Sequence, residues 1–207
     1  MFLVSFIPLQ PDAPLGTPGL PHERSDAARN RERLLCAARE LVDEFGADAL
    51  TMDALACKAK VGKGTVFRRF GSRAGLMMTL LSDAESEFQR GFMFGPPPLG
   101  PGASPEDRLV AFGEGRIYFV LENGELLKAA GAATRNRFDV PATKLSHRHM
   151  EVLLREAGIA DPWVMAMSLT YALDPERIVD DVRVRGISPR RLTDSWRELI
   201  TRLLKTT

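Results

Sequence analysis

The segment Thr51 to Arg73 reads TMDALACKAKVGKGTVFRRFGSR, the pattern of two short helices folded back on each other across a tight turn. Thr51 offers a hydroxyl to an orphan amide of the first turn, and Asp53 sits where the helix dipole favours an anion. Met52, Leu55, Ala56 and Ala59 follow at helical spacing, so one face is apolar and its two alanines let a neighbour come close. Lys60 to Lys63 are expected to form the turn, with Val61 plugged into the core and Gly62 and Gly64 easing the backbone. A second helix is expected over Lys63 to Phe70, with Val66 and Phe70 inward at i, i+4. That leaves Lys63, Thr65, Phe67, Arg68 and Arg69 outward.

A basic helix end is by default a solvated face. Here the short turn, its glycines and the flanking helices favour a helix-turn-helix and therefore double-stranded DNA as partner. Lys and Arg bind phosphates or guanine edges, and a Thr methyl can meet a thymine methyl in the major groove. The expected DNA-contact residues are Thr51, Lys63, Gly64, Thr65, Phe67, Arg68, Arg69 and Arg73, with Lys63 and Arg73, near helix starts, assigned to phosphate.

Upstream, Leu34, Ala38, Leu41 and Phe45 form an apolar ladder on a first helix expected to start at a Ser25 cap and stop at Gly46. Downstream, Ser72 is set to cap a longer helix with Leu76, Leu80, Ala84 and Phe88 at a four-residue interval. Arg29 to Phe88 thus resembles the N-terminal domain of the TetR family of bacterial transcriptional regulators: a long first helix, a Gly, the Leu50-Thr51 pair opening the second helix, and VGKGTVFRRFGSRAGL over Val61 to Leu76. Two positions depart from the family pattern. Gly62 stands where a Ser or Thr cap is common, and Phe67 where Tyr is common.

The chain has 207 residues and a formal net charge of +1, so it is no bulk polyelectrolyte binder. The charge is uneven: eleven Lys or Arg against seven Asp or Glu from Arg24 to Arg73, and seventeen against twenty elsewhere. A basic head on a mildly acidic body confines DNA contact to the head. The two cysteines, Cys36 and Cys57, are expected to pack as small apolar residues, and their scarcity fits a reducing cytoplasm. Residues 1–23 hold five prolines and are expected to form a disordered tail, followed by a helix-turn-helix domain over 24–72 and a linker helix plus body over 73–207. Met1 to Leu9 lacks the charged start and cleavage site of a signal peptide, and no run is long enough to span a membrane.

The body reads as helices. GPPPLGPGASP, Gly95 to Pro105, must be a loop, and Ser104-Pro105, Asp161-Pro162 and Ser188-Pro189 each place a capping residue before a first-turn proline. Helices are expected from Pro105 to Asn123, Glu125 to Ala133, Ala142 to Ala157, Pro162 to Leu173 and Pro189 to Leu204, with a short piece after Asp174-Pro175. The fold class is therefore all-α. The Pro162 helix is apolar nearly all round and calls for burial on two sides, and the last helix carries Leu192, Trp196, Leu199, Ile200 and Leu203.

The resemblance implies that these two helices build a homodimer's four-helix bundle, and that a cavity in the body takes an unidentified small-molecule effector which releases a repressor from an inverted-repeat operator. Phe112, Arg116, Phe119, Met150, Trp163, Met167 and Tyr171 are the expected lining, since aromatic and Met side chains adapt to apolar ligands and Arg116 suits a carboxylate. His147 and His149, two apart on a helix, point away from each other, share no metal and are expected to be solvated. No catalytic, phosphate-loop or dinucleotide motif occurs in the chain, so neither an enzyme nor a cofactor is expected. The alternative is a helical small-molecule-binding protein or enzyme whose basic head no longer binds DNA.

Overall fold

Each expected pairing of a capping residue with proline starts a helix. In a computed structural model describing residues 21–131 and 141–205, the side chains of Ser104, Asp161 and Asp174 accept from the amides of Asp107, Val164 and Arg177 at 3.1 to 3.2 Å, and Ser188 from Arg191 at 3.3 Å. The helices are α1 Pro21–Phe45, α2 Met52–Lys58, α3 Lys63–Phe70, α4 Arg73–Phe94, α5 Pro105–Glu122, α6 Gly124–Gly131, α7 Pro141–Glu156, α8 Pro162–Ala172, α9 Pro175–Arg183 and α10 Pro189–Lys205, with one 3-10 turn at Ala47–Ala49. No strand occurs among the described residues, and none of the described helices is long and apolar enough to cross a membrane.

The first helix starts at Pro21, ahead of the expected Ser25 cap. Proline is tolerated in a first turn because the amide it lacks would have no intrahelical partner there. Residues 21–23, assigned above to the tail, therefore belong to α1; residues 1–20 lie outside the described residues, as do 132 and 133 of the expected Glu125 to Ala133 helix.

Two cores form. The head core takes Leu34, Ala38 and Leu41 of α1, Leu50, Leu55 of α2, Val66 and Phe70 of α3, and Leu76 and Leu80 of α4. The body core takes Phe92 of α4, Leu109, Phe112 and Val120 of α5, Met150 and Leu153 of α7, Leu169 of α8, and Trp196 and Ile200 of α10. The α4 stripe expected from the sequence runs from one core into the other, since Ala84 and Phe88 pack on the body side. Phe45 departs from the α1 ladder and is exposed, because α1 ends there and the chain turns away at Gly46, φ 81°. Cys36 and Cys57 are likewise exposed rather than packed.

In the body, α10 lies against α5 by seating one indole over one glycine. Trp196 is buried and its Nε1 donates to the Leu109 carbonyl at 3.0 Å, while a Cβ built on Gly113 would overlap the indole ring. The histidines of α7 point apart, as their spacing requires. His147 Nε2 lies 3.2 Å from the Trp163 carbonyl. His149, expected in solvent, instead stacks near Phe92 and Phe112, with centroids 4.4 and 5.2 Å away. Burial pushes its imidazole down to about 4, and the neighbouring Arg108 cation adds to the effect.

Two outcomes follow from these contacts. Gly113→Ala should lower the unfolding free energy by about 1 to 3 kcal/mol, the usual cost of overpacking, measured by urea unfolding. His149 is neutral in folded and unfolded chains above its ordinary 6.5. As pH falls from there toward about 4, only the unfolded chain gains the proton, so stability is lost across that window. His149→Phe should remove this part of the acid dependence, and a stability difference between variant and wild type that stays constant over the window would refute it.

Candidate nucleic-acid interface

The head presents α3 on a frame set by local chemistry. The Thr51 hydroxyl accepts from the Ala54 amide at 3.0 Å and starts α2; its own proton stays available to a phosphate oxygen. Val61 packs partly buried against the head core. The turn's left-handed residue is Lys60, φ 53°, not a glycine. Gly62 sits at φ −65°, ψ 141°, a conformation open to any residue, and Gly64 lies inside α3. The turn therefore does not need either glycine for its backbone angles. Their effect is to leave the start of α3 bare: Gly62 provides no side-chain cap, and nothing lies within 4 Å of where a Gly64 Cβ would stand.

Val66 and Phe70 are buried, and Lys63, Gly64, Phe67, Arg68 and Arg69 are exposed with Thr65 half-buried. The outward face of α3 is therefore the one the spacing predicts. Among the described residues Arg68 has no hydrogen-bonding or ionic partner, so its guanidinium is available to an anion. Arg68 and Arg69 also sit in the last turn of α3, where the helix dipole favours cations. The Lys63 amine reaches back to Asp53 at 2.7 Å and lies 5.9 Å from the Phe67 ring centroid. Both members of that ion pair are exposed, so it contributes little and exchanges readily for a phosphate.

Arg73 differs from its expected role. Its guanidinium donates to the carbonyls of Leu50 and Ala47 at 2.8 and 2.7 Å and lies 3.5 Å from Asp48. It ties the start of α4 to the segment between α1 and α2. Sequence reasoning missed this because its partners are backbone atoms 23 and 26 residues away. It also missed Asp53 as the Lys63 partner and Lys60 as the turn's left-handed residue, an outward cation beside α3. Arg73→Met should lower the head's stability by about 1 to 2 kcal/mol through loss of charge-assisted bonds, whereas Arg68→Met should leave the thermal melt unchanged. Equal melts for both variants would return Arg73 to the surface set.

The seven residues expected to line an effector cavity do not converge. Phe112 and Phe119 are buried around Phe88, with centroids 5.5 and 5.6 Å away, and Met150 is packed in the same core. Arg116 is paired with buried Glu85 at 2.9 Å and lies 4.8 Å from the Phe119 ring centroid. Trp163 and Tyr171 are each 51% exposed on α8, and Met167 is half-buried there. Of the seven, only Phe119 reaches a cleft of about 490 Å³ that opens between α1, α4, α5 and α6. Among the described residues no three His, Cys, Asp or Glu side chains are placed to hold a metal.

The head matches the family model for bacterial regulatory proteins of the tetR family over residues 34–78. No curated protein sequence matches the chain. Solved structures do. A TetR-like transcriptional regulator from Rhodococcus sp. RHA1 is 23% identical with a TM-score of 0.56, covering 87% of this chain and 98% of its own. A putative transcriptional regulator from Pseudomonas aeruginosa PAO1 is 17% identical with a TM-score of 0.62, covering 90% and 95%. A putative transcriptional regulator from Saccharomonospora viridis, in complex with choline, is 15% identical with a TM-score of 0.61, covering 84% and 96%. The chain thus carries a TetR-family helix-turn-helix head, and the helical body behind it has the fold of that family's regulators.

Proposed function

We propose that the protein is a homodimeric, sequence-specific transcriptional regulator that represses from an inverted-repeat operator and is released by a small-molecule effector. The observation that carries this reading is the outward face of α3, where Arg68 has no partner among the described residues, Lys63 is held by an exposed pair, and the helix start has no side-chain cap and open space at Gly64. Bare amides at a helix start attract phosphate, and free guanidinium groups read guanine edges or bind the backbone.

The dimer rests on α8 and α10. The first turns Ala166 and Leu169 into the body core but leaves Trp163, Val164 and Tyr171 exposed, and the second leaves Leu199 45% exposed. The burial on two sides that α8 calls for is therefore met on one side among the described residues. Apolar surface of this kind marks a protein partner, and a second copy supplies the two half-sites that a helix-turn-helix needs.

Selection of bound fragments from random DNA should return an inverted repeat; non-palindromic or sequence-independent recovery would overturn the reading. On the selected site Arg68→Ala should cost about 1 to 3 kcal/mol if it reads a base, or flatten the salt dependence if it holds a phosphate. Gly64→Ala should raise head stability by up to about 1 kcal/mol, the helix-propensity gain, yet weaken DNA binding by crowding the helix start. A variant both more stable and equally tight would remove that part of α3 from the interface. Leu199→Glu should shift the protein toward monomer in sedimentation and weaken operator binding with it.

A further inference from the structure

The cleft where α1 of the head meets α4, α5 and α6 measures about 490 Å³, within the range of small-molecule sites. Its apolar side combines three aromatic rings with the aliphatic Val42, Leu80, Ala84 and Leu126. Phe88 and Phe119 pack at 5.6 Å, and Tyr118, 47% exposed, stands beside them. Its charge is acidic: Asp43 of α1, Glu87 of α4 and Glu122 at the end of α5 line it, against Arg39 as the one cation among the described residues. That cation is engaged, holding Asp83 at 2.7 Å and Glu87 at 3.7 Å. Asp43 and Glu122 have no hydrogen-bonding or ionic partner among the described residues.

Two unpartnered carboxylates, one on the head and one on the body, thus flank an aromatic wall. Carboxylates and ring faces both attract positive charge, while an anion meets net repulsion and a neutral ligand leaves the carboxylates unused. We propose that this cleft binds an organic cation bearing an apolar group, held between Asp43 and Glu122 with its apolar part against Tyr118 and Phe119. It is separate from the body cavity expected from the sequence, which it shares only at Phe119. Under the regulator reading above, on which this last step rests, the cation bridges α1 and α5 and so biases the set of the head against the body.

The test uses the full chain without DNA and titrates it calorimetrically with benzyltrimethylammonium, benzyl alcohol and phenylacetate as cationic, neutral and anionic probes. The cation should bind at one per chain, more tightly than the alcohol, with no binding of the anion. Asp43→Asn with Glu122→Gln should weaken the cation roughly tenfold, as expected for losing two partly exposed charge contacts, with an unchanged melting temperature because neither residue has a partner among the described residues. Tyr118→Ala should weaken it as well. No binding of the cation, equal affinity in the double variant, or phenylacetate binding as well as the cation would overturn the site. The regulatory step is read separately on selected DNA: a change in DNA affinity with the cation that vanishes in the double variant supports it, and an unchanged affinity at saturating cation refutes it. A protein that binds the cation but no DNA at all would overturn the regulator reading and leave the site standing.

Discussion

A single helix has to satisfy two cores. The 22 residues of α4 put Leu76 and Leu80 into the head and Phe88 and Phe92 into the body, so neither unit buries its apolar face without the same rod. At 1.5 Å per residue that rod is about 33 Å long. Its middle is fixed by polar contacts that a slipped register would break. Glu85 meets Arg116 of α5 at 2.9 Å in a buried pair, and Asp83 meets Arg39 of α1 at 2.7 Å. Buried pairs add little net stability but penalise misplacement heavily. The Glu85–Arg116 contact therefore serves to set the position of α4 against α5, with the guanidinium laid over Phe119 to complete it.

The elements that were legible in the sequence are those set by short-range chemistry. A cap followed by proline announces α5, α8, α9 and α10 within a few residues, and the i, i+4 placement of Val66 and Phe70 fixes which side of α3 faces out. The family resemblance adds the order of the head's helices. What could not be read depends on partners far along the chain. Arg73 looks like a surface cation until its carbonyl acceptors at Leu50 and Ala47 are folded beside it, and Gly113 looks like a helix defect until Trp196 arrives 83 residues later. His149 looked solvated because a two-residue spacing says the rings diverge but not that one of them meets Phe92.

The effector expectation failed to converge for a related reason. Residues chosen for adaptable side chains are also the residues that fill a core, and Phe112 and Met150 are buried in the body core. A site needs space as well as chemistry, and space is a property of how helices meet. The space found here lies at the join of head and body, lined partly by charged side chains such as Asp43 and Glu122 that sequence patterning assigns to ordinary solvated faces.

That location bears on how firmly the head is held. Beside the shared rod itself, the contacts at the join include Leu126 of α6 against the head core and ion pairs from Arg31 and Arg39 of α1 to Asp83 of α4 and from Arg39 to Glu87 of α4, whose side chains are all at least a third exposed. Exposed pairs contribute about 0 to 1 kcal/mol each. Breaking these ion pairs together therefore costs an amount comparable to the roughly 1 to 3 kcal/mol over which one site commonly couples to another. A wide apolar interface at the same place would have exceeded that range and locked the two units together. With a long rod as the main bond and exposed polar contacts beside it, the angle between α3 and the body is the coordinate on which the ligand proposed for the cleft would act.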